Sequence, residues 1–129
     1  MSNEAYNLTL PLPPSINNYW GLRLGVSSVK KKQIPMKYVT HAAKDYRSTV
    51  ENIILKEYPN FHPLEGDLQI AVLIHPANRR KEDIDNRLKP LLDALQGVLY
   101  EDDAQIKTLR AELLDPEPSG CILVTLMEK

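Results

Sequence analysis

An α+β domain with a mixed β-sheet and two main helices packed on it is the fold this sequence predicts, and three observations predict it. The 129 residues, 43% hydrophobic and 26% charged, suit one core and exclude intrinsic disorder, collagen-like sequence and a membrane protein. Four stretches read as strands, two of them with apolar alternation at a period of two, and spacing of three and four marks helices in two. These patterns run strand, helix, strand, helix, strand, strand within a single domain spanning residues 1–129.

Tyr6 to Leu12 alternates apolar and polar residues, and the prolines at 11, 13 and 14 end that strand early. From Ser15 to Met36 no period is sustained. Gly21, Gly25, Ser27, Ser28 and Pro35 interrupt it, so a long mobile basic loop is expected at about residues 21–36, and such loops are often functional. Thr40 is placed to cap a helix whose apolar positions are Ala43, Tyr46, Val50, Ile53 and Ile54, ending near Tyr58. Asp67 to His75 begins in alternation and becomes continuously apolar, the mark of a central strand. Leu88, Leu91, Leu92, Leu95 and Leu99 predict a second helix of about 12 residues, with Gly97 near its end. Pro90 requires that helix to start close by or to bend. Gln105 to Leu114 and Gly120 to Met127 read as two further strands, joined through Pro116 and Pro118.

The longest apolar run is Ile70 to Ile74, far short of the ~20 residues of a membrane helix, and the amino terminus carries no export pattern. No membrane partner is expected. The lone Cys121 excludes an intramolecular disulfide and a multi-cysteine zinc site, and it reads as a core thiol in a reducing cytoplasm.

The formal charge of −1 conceals an asymmetry: residues 1–44 sum to +5 and the remainder to −6. A cationic arm for a polyanion beside an acidic region that holds metal fits this division, and so does an unevenly charged, solvated surface. Lys30, Lys31 and Lys32 form one basic run, and Arg79, Arg80 and Lys81 a second.

The sharpest feature is Asp83-Ile84-Asp85-Asn86 between a strand and a helix, followed by Lys89 and, beyond the helix, by Asp102-Asp103. On extended backbone, residues two apart point to one side, which would aim Asp83 and Asp85 at the same pocket. Carboxylates brought close repel one another unless a cation neutralises them. Oxygen donors without a histidine pair or cysteine select Mg²⁺, or Mn²⁺, over zinc. Such a site orients water for attack on a phosphodiester. Lys89, about one helical turn after Asp85, would meet the developing charge on phosphate, and Arg79, Arg80 and Lys81 the neighbouring backbone phosphates. The plainer alternative has Asp83 or Asp85 capping the helix, Asp102-Asp103 making a turn, and Lys89 pairing with Asp93. An EF-hand is excluded by Arg87 and Leu88 where an oxygen ligand and glycine belong.

At these residues the sequence resembles the RusA-type Holliday junction resolvases. The likeness runs through Leu10-Pro11-Leu12-Pro13-Pro14-Ser15 with Asn17 and Tyr19-Trp20, through Arg79-Arg80-Lys81 with Asp83-Ile84-Asp85-Asn86, through Lys89 with Asp93-Ala94-Leu95, and through Asp102-Asp103-Ala104-Gln105-Ile106. It covers nearly the whole domain. The resemblance implies a RusA-like fold and a Mg²⁺-dependent, cytoplasmic homodimer that resolves four-way junction DNA by paired symmetric nicks in recombination and repair. It also implies roles by position: Asp83, Asp85 and Asp103 as essential metal-holding carboxylates, Asp102 as the accompanying acid, Lys89 as the catalytic lysine, and Asn17 and Asn86 in support. Pro90 and a slightly short interval between the two acidic motifs depart from the pattern. The rival expectations are a Mg²⁺ nuclease acting on forks and flaps, and a non-catalytic DNA-binding module.

Overall fold

The computed structural model describes residues 5–15, 20–26, 33–81 and 83–129, with the backbone alone described between 20 and 39. Among these residues, six strands and two helices follow in the order β1 (Ala5–Leu10), β2 (Trp20–Val26), β3 (Gln33–Val39), α1 (His41–Glu57), β4 (Leu68–His75), α2 (Leu88–Leu95), β5 (Ile106–Leu113) and β6 (Cys121–Glu128). Short 3₁₀ turns at Ile84–Asn86 and Asp103–Gln105 flank α2. The main sheet has the order β1-β6-β4-β5, with β4 and β5 parallel and the other pairs antiparallel. It is the expected mixed sheet, and β4 lies inside it.

Both helices pack on one face. Leu68, Ile70, Val72 and Ile74 of β4 alternate inward, joined by Leu8, Leu10, Ile122, Val124 and Leu126 from the neighbouring strands. Tyr46, Val50 and Ile54 of α1 and Leu91, Ala94 and Leu95 of α2 close over them. Each such aliphatic side chain contributes about 1.5–3 kcal/mol of burial, so this layer supplies most of the driving force. The Thr40 side chain accepts a hydrogen bond from the Ala43 amide at 3.3 Å, the expected start of α1.

Three expectations are corrected. The stretch read as a structureless loop carries an antiparallel ribbon, β2 against β3, in register from Trp20 opposite Val39 to Val26 opposite Gln33. Trp20, Leu22, Leu24 and Val26 do alternate, and Pro35 is tolerated because a two-stranded ribbon has open edges. Helix α2 stops at Leu95, short of Leu99, because Gly97 takes a left-handed φ of +88° and turns the chain. Leu99 keeps its place in the core, fully buried, through a turn in which its amide bonds Leu95 O at 2.9 Å. Cys121 is half-buried, since odd-numbered positions of β6 face the side of the sheet opposite the core. No helix among the described residues is long and apolar enough to cross a membrane.

Gly120 closes the turn into β6 at φ +65°, and a Cβ built there would lie 2.9 Å from His75 O and collide with the Leu12 side chain. Replacing Gly120 by Ala should lower stability by about 1–3 kcal/mol, read as a lower urea midpoint at unchanged m.

Candidate active site

The chain leaves β4 at His75, and the next element among the described residues is the 3₁₀ turn at Ile84–Asn86. Within this crossing, the Asn78 side chain accepts a hydrogen bond from the Arg80 amide at 2.9 Å, a local turn that leaves Arg79, Arg80 and Lys81 exposed. Asp83 is extended (φ −79°, ψ 140°), and the Asn86 amide bonds its carbonyl at 3.0 Å to close the 3₁₀ turn. Pro90 is the third residue of α2, and the Leu91 amide makes the bond back to Arg87 O at 3.1 Å. An amide hydrogen at position 90 would have had no partner inside the helix, so proline is accommodated without a bend.

The two acidic motifs differ in what their side chains do. Asp83 stands at the cap position of its turn and makes no side-chain cap bond, and both Asp83 and Asp85 are exposed. Asp102 is committed to structure: its carboxylate accepts the Ala104 amide at 2.8 Å, while Gln105 Oε1 accepts the Glu101 and Asp102 amides at 3.0 Å. This reciprocal box holds the entry to β5, and Gln105 Nε2 extends it by donating to Leu64 O at 2.8 Å and Gly66 O at 3.0 Å. The plain capping role therefore applies to Asp102 and not to Asp83. The extended geometry expected to aim Asp83 and Asp85 to one side does not hold, because residues 84–86 form a 3₁₀ turn.

Asp103 is aimed by Tyr100. The fully buried Tyr100 carries its hydroxyl 2.8 Å from Asp103 Oδ1 and 3.1 Å from Leu92 O. Its one proton goes to the carboxylate, the shorter and charge-assisted partner. Burial, then the hydrogen bond to Asp103, then the charges of Asp103 and Asp93, push the Tyr100 phenol well above its usual range. Tyr100 thus bridges Asp103 to the backbone of α2 at Leu92. Lys89 Nζ is 3.1 Å from Asp93 Oδ1, an i,i+4 pair in which the lysine is more than half exposed. Such a pair is worth only about 0.3–0.5 kcal/mol, little enough for the lysine to exchange partners. Arg47 of α1 donates to Asp93 O at 2.9 Å and to Gln96 O at 3.4 Å, fastening the C-terminal end of α2.

The segment 10–15 is gripped from two sides: the Tyr46 hydroxyl donates to Pro11 O at 2.8 Å, and Arg87 donates to Pro13 O. Arg87 immediately precedes α2, so this contact ties the first proline motif to the acidic turn. Asn86 is half-buried beside it. Lys30, Lys31, Lys32 and Asn17 lie outside the described residues. Among the described residues, Asp83, Asp85 and Asp103 are not a group whose ligand oxygens gather within 4.8 Å. The structure draws Asp103, Asp93, Lys89 and Tyr100 together around α2 and leaves Asp83 and Asp85 on the turn before it.

The family model described as Endodeoxyribonuclease RusA matches residues 13–125. The chain belongs to that family. It is 29% identical over 126 residues to the crossover junction endodeoxyribonuclease of Enterobacteria phage HK97, covering 97% of this chain and 96% of the relative. The protein of that name from Escherichia coli K12 matches at the same identity and coverage, and that of Enterobacteria phage 82 at 28%. RusA nuclease chemistry requires a divalent metal. The donors here fit a hard cation: oxygen ligands on an exposed turn, and an Asp103 held through Oδ1 alone by Tyr100.

Sequence reasoning missed Tyr100 and Arg87. The spacing of Tyr100 from Asp103 carries no periodic signal, because Asp102 between them is extended (φ −143°, ψ 133°) and the 3₁₀ turn begins only at Asp103. Tyr100→Phe keeps the ring and removes the donor, and should cost about 1–2 kcal/mol. The raised phenol pKa stabilises the fold fully below about pH 10, the unfolded value, and that contribution fades as pH rises towards the folded one. Urea melts between about pH 8 and 11 should therefore show a shallower alkaline loss in Tyr100→Phe than in the unaltered chain.

Proposed function

We propose that this RusA-family endodeoxyribonuclease resolves Holliday junctions by paired hydrolysis of phosphodiester bonds, with Asp83, Asp85 and Asp103 holding Mg²⁺, for which Mn²⁺ can substitute. The observation that carries the assignment is the division of labour among the acids: Asp102 caps, while Asp83 makes no cap bond and Tyr100 turns Asp103 towards α2. Two carboxylates about 4 Å apart repel by about 4 kcal/mol at the effective dielectric of a protein surface. Gathering three is therefore unfavourable without a cation, and metal binding and closure of this acidic turn are one event. Bound there, the metal supplies an activated water and a counter-charge for the oxyanion leaving group.

The chain's own residues do the rest. Tyr100 keeps Asp103 oriented by donating to Oδ1. Lys89, released from its weak pair with Asp93, neutralises charge growing on the phosphate oxygens. Arg79, Arg80 and Lys81, exposed at the mouth of the crossing, hold adjoining phosphates, with Lys30, Lys31 and Lys32 as a second set of contacts. A four-way junction presents two scissile strands related by approximate two-fold symmetry, which a C2 homodimer in the cytoplasm would match with two sites.

A synthetic four-way junction should be cut into nicked duplexes in Mg²⁺ and left whole in EDTA, with a fork and a linear duplex cut more slowly. Equal cutting of all three would refute junction selectivity. Asp85→Asn should abolish cleavage while junction affinity changes less than about threefold, because a metal ligand is lost and few phosphate contacts are. Lys89→Ala should reduce single-turnover cleavage at least tenfold more than it reduces affinity; an equal loss in both would make it a DNA anchor.

A further inference from the structure

At the end of the sheet remote from the entry to β5 lies a second cluster of ligating side chains. His75 ends β4 and Cys121 begins β6, and the antiparallel register sets the two directly opposite. Both are half-buried on the face away from the helices. Glu117, from the connection between β5 and β6, reaches between them: its Oε1 is 3.6 Å from His75 Nδ1, and its Oε2 is 3.6 Å from Cys121 Sγ. One ligand atom from each residue falls within 4.8 Å of the others.

The two 3.6 Å contacts, each through a different Glu117 oxygen, are close to the edge of a coordination shell, and with all three ligand atoms within 4.8 Å small side-chain rotations bring them onto one ion. With metal bonds of ~2.0–2.1 Å to nitrogen and oxygen and ~2.3 Å to a single sulfur, the edges of a tetrahedron run about 3.3–3.6 Å. Three different elements of the chain supply the donors, and the Glu117 side chain is 52% exposed, so an ion has a path in and water a place in the fourth position. We propose that His75, Glu117 and Cys121 form a binding site for a borderline divalent cation of the zinc type, separate from the acidic turn.

The donor set decides the class of ion. A thiolate and an imidazole select zinc-like metals, whereas the oxygen-only turn at Asp83 and Asp85 selects Mg²⁺, so the two sites do not compete for one metal. Binding replaces the Cys121 S–H bond with a sulfur–metal bond and releases the proton to solvent. His75 Nδ1 also faces Asp115 O at 2.8 Å. Ligation through Nε2 keeps that contact as the outer hydrogen bond that orients a metal-bound imidazole, and ligation through Nδ1 exchanges it for the metal.

The location gives the site a consequence for the basic segment. The Glu117 amide bonds Pro76 O at 2.9 Å, and the Leu114 amide bonds Ile74 O at 2.8 Å, so the Glu117 loop is already stitched to the root of the residues carrying Arg79, Arg80 and Lys81. An ion bound here clasps the ends of β4 and β6 to that root and limits its movement.

The test uses the reduced, metal-stripped full chain with Co²⁺ as the probe, in millimolar Mg²⁺ to occupy oxygen-only sites. Thiolate-to-cobalt charge-transfer absorption should saturate at one ion per chain and disappear on adding Zn²⁺. Cys121→Ser should abolish it, His75→Gln and Glu117→Gln should each weaken binding at least tenfold, and Asp85→Asn should leave it unchanged. Zn²⁺ should also slow alkylation of Cys121 by iodoacetamide in the unaltered chain at least tenfold, a measurement that needs no variant to fold. Absence of the absorption, its persistence at full strength in His75→Gln and Glu117→Gln, or alkylation indifferent to zinc would each overturn the site.

Discussion

The parallel pairing of β4 with β5 is the constraint on which the rest of the molecule depends. Two adjacent parallel strands cannot be joined by a tight turn, so the chain must leave the end of one, cross the sheet and re-enter at the start of the other. Here that crossing runs from Pro76 to Gln105, and it contains the basic segment, the acidic turn, α2 and the capped entry to β5. Burial fixes the crossing firmly: Leu91, Ala94 and Leu95 on the inner face of α2 and the fully buried Leu99 and Tyr100 after it anchor it to the core. Polar residues on its outer side are consequently displayed on a rigid base, an arrangement that favours accurate placement of reacting groups.

Within the crossing, chemistry and structure are divided between neighbours in sequence. Asp102 and Asp103 are adjacent and chemically identical, yet one closes a reciprocal cap and the other accepts a hydrogen bond from a buried phenol. The backbone turn decides this, since a cap position points its carboxylate back at free amides while the next residue points away from them. Asp83, also at a cap position, forgoes the local bond. An acid that does not satisfy its own backbone is available to something else.

Much of this was legible in the sequence, and the failures have physical causes. Strands β1, β4 and β6 and helix α1 carry clear periods bounded by proline or a capping threonine, and these elements and the less regular β5 lie within a few residues of where the sequence puts them. The β2–β3 ribbon was hidden because Gly21, Gly25 and Pro35 look like breakers when cross-strand pairing is unknown. Leu99 carried the helical period past Gly97 because a turn can bury a leucine as well as a helix does. At the site, residue type and spacing anticipated the pair that Lys89 makes with Asp93. They did not reveal Tyr100 or Arg87, whose roles come from contacts with Asp103 and Pro13 that only the tertiary arrangement creates.

The double grip on the proline segment has an implication for how this architecture changes over time. Tyr46 and Arg87 secure residues 11 and 13 from different elements, and Thr40 secures the start of α1. The β2–β3 ribbon therefore lies, along the chain, between two secured segments. Inserting a pair of residues in each strand would lengthen it by roughly 6.8 Å while preserving which side chains face which way. Reach towards a distant segment of a substrate can thus drift through insertion and deletion, while the acids stay on a frame that such changes never touch.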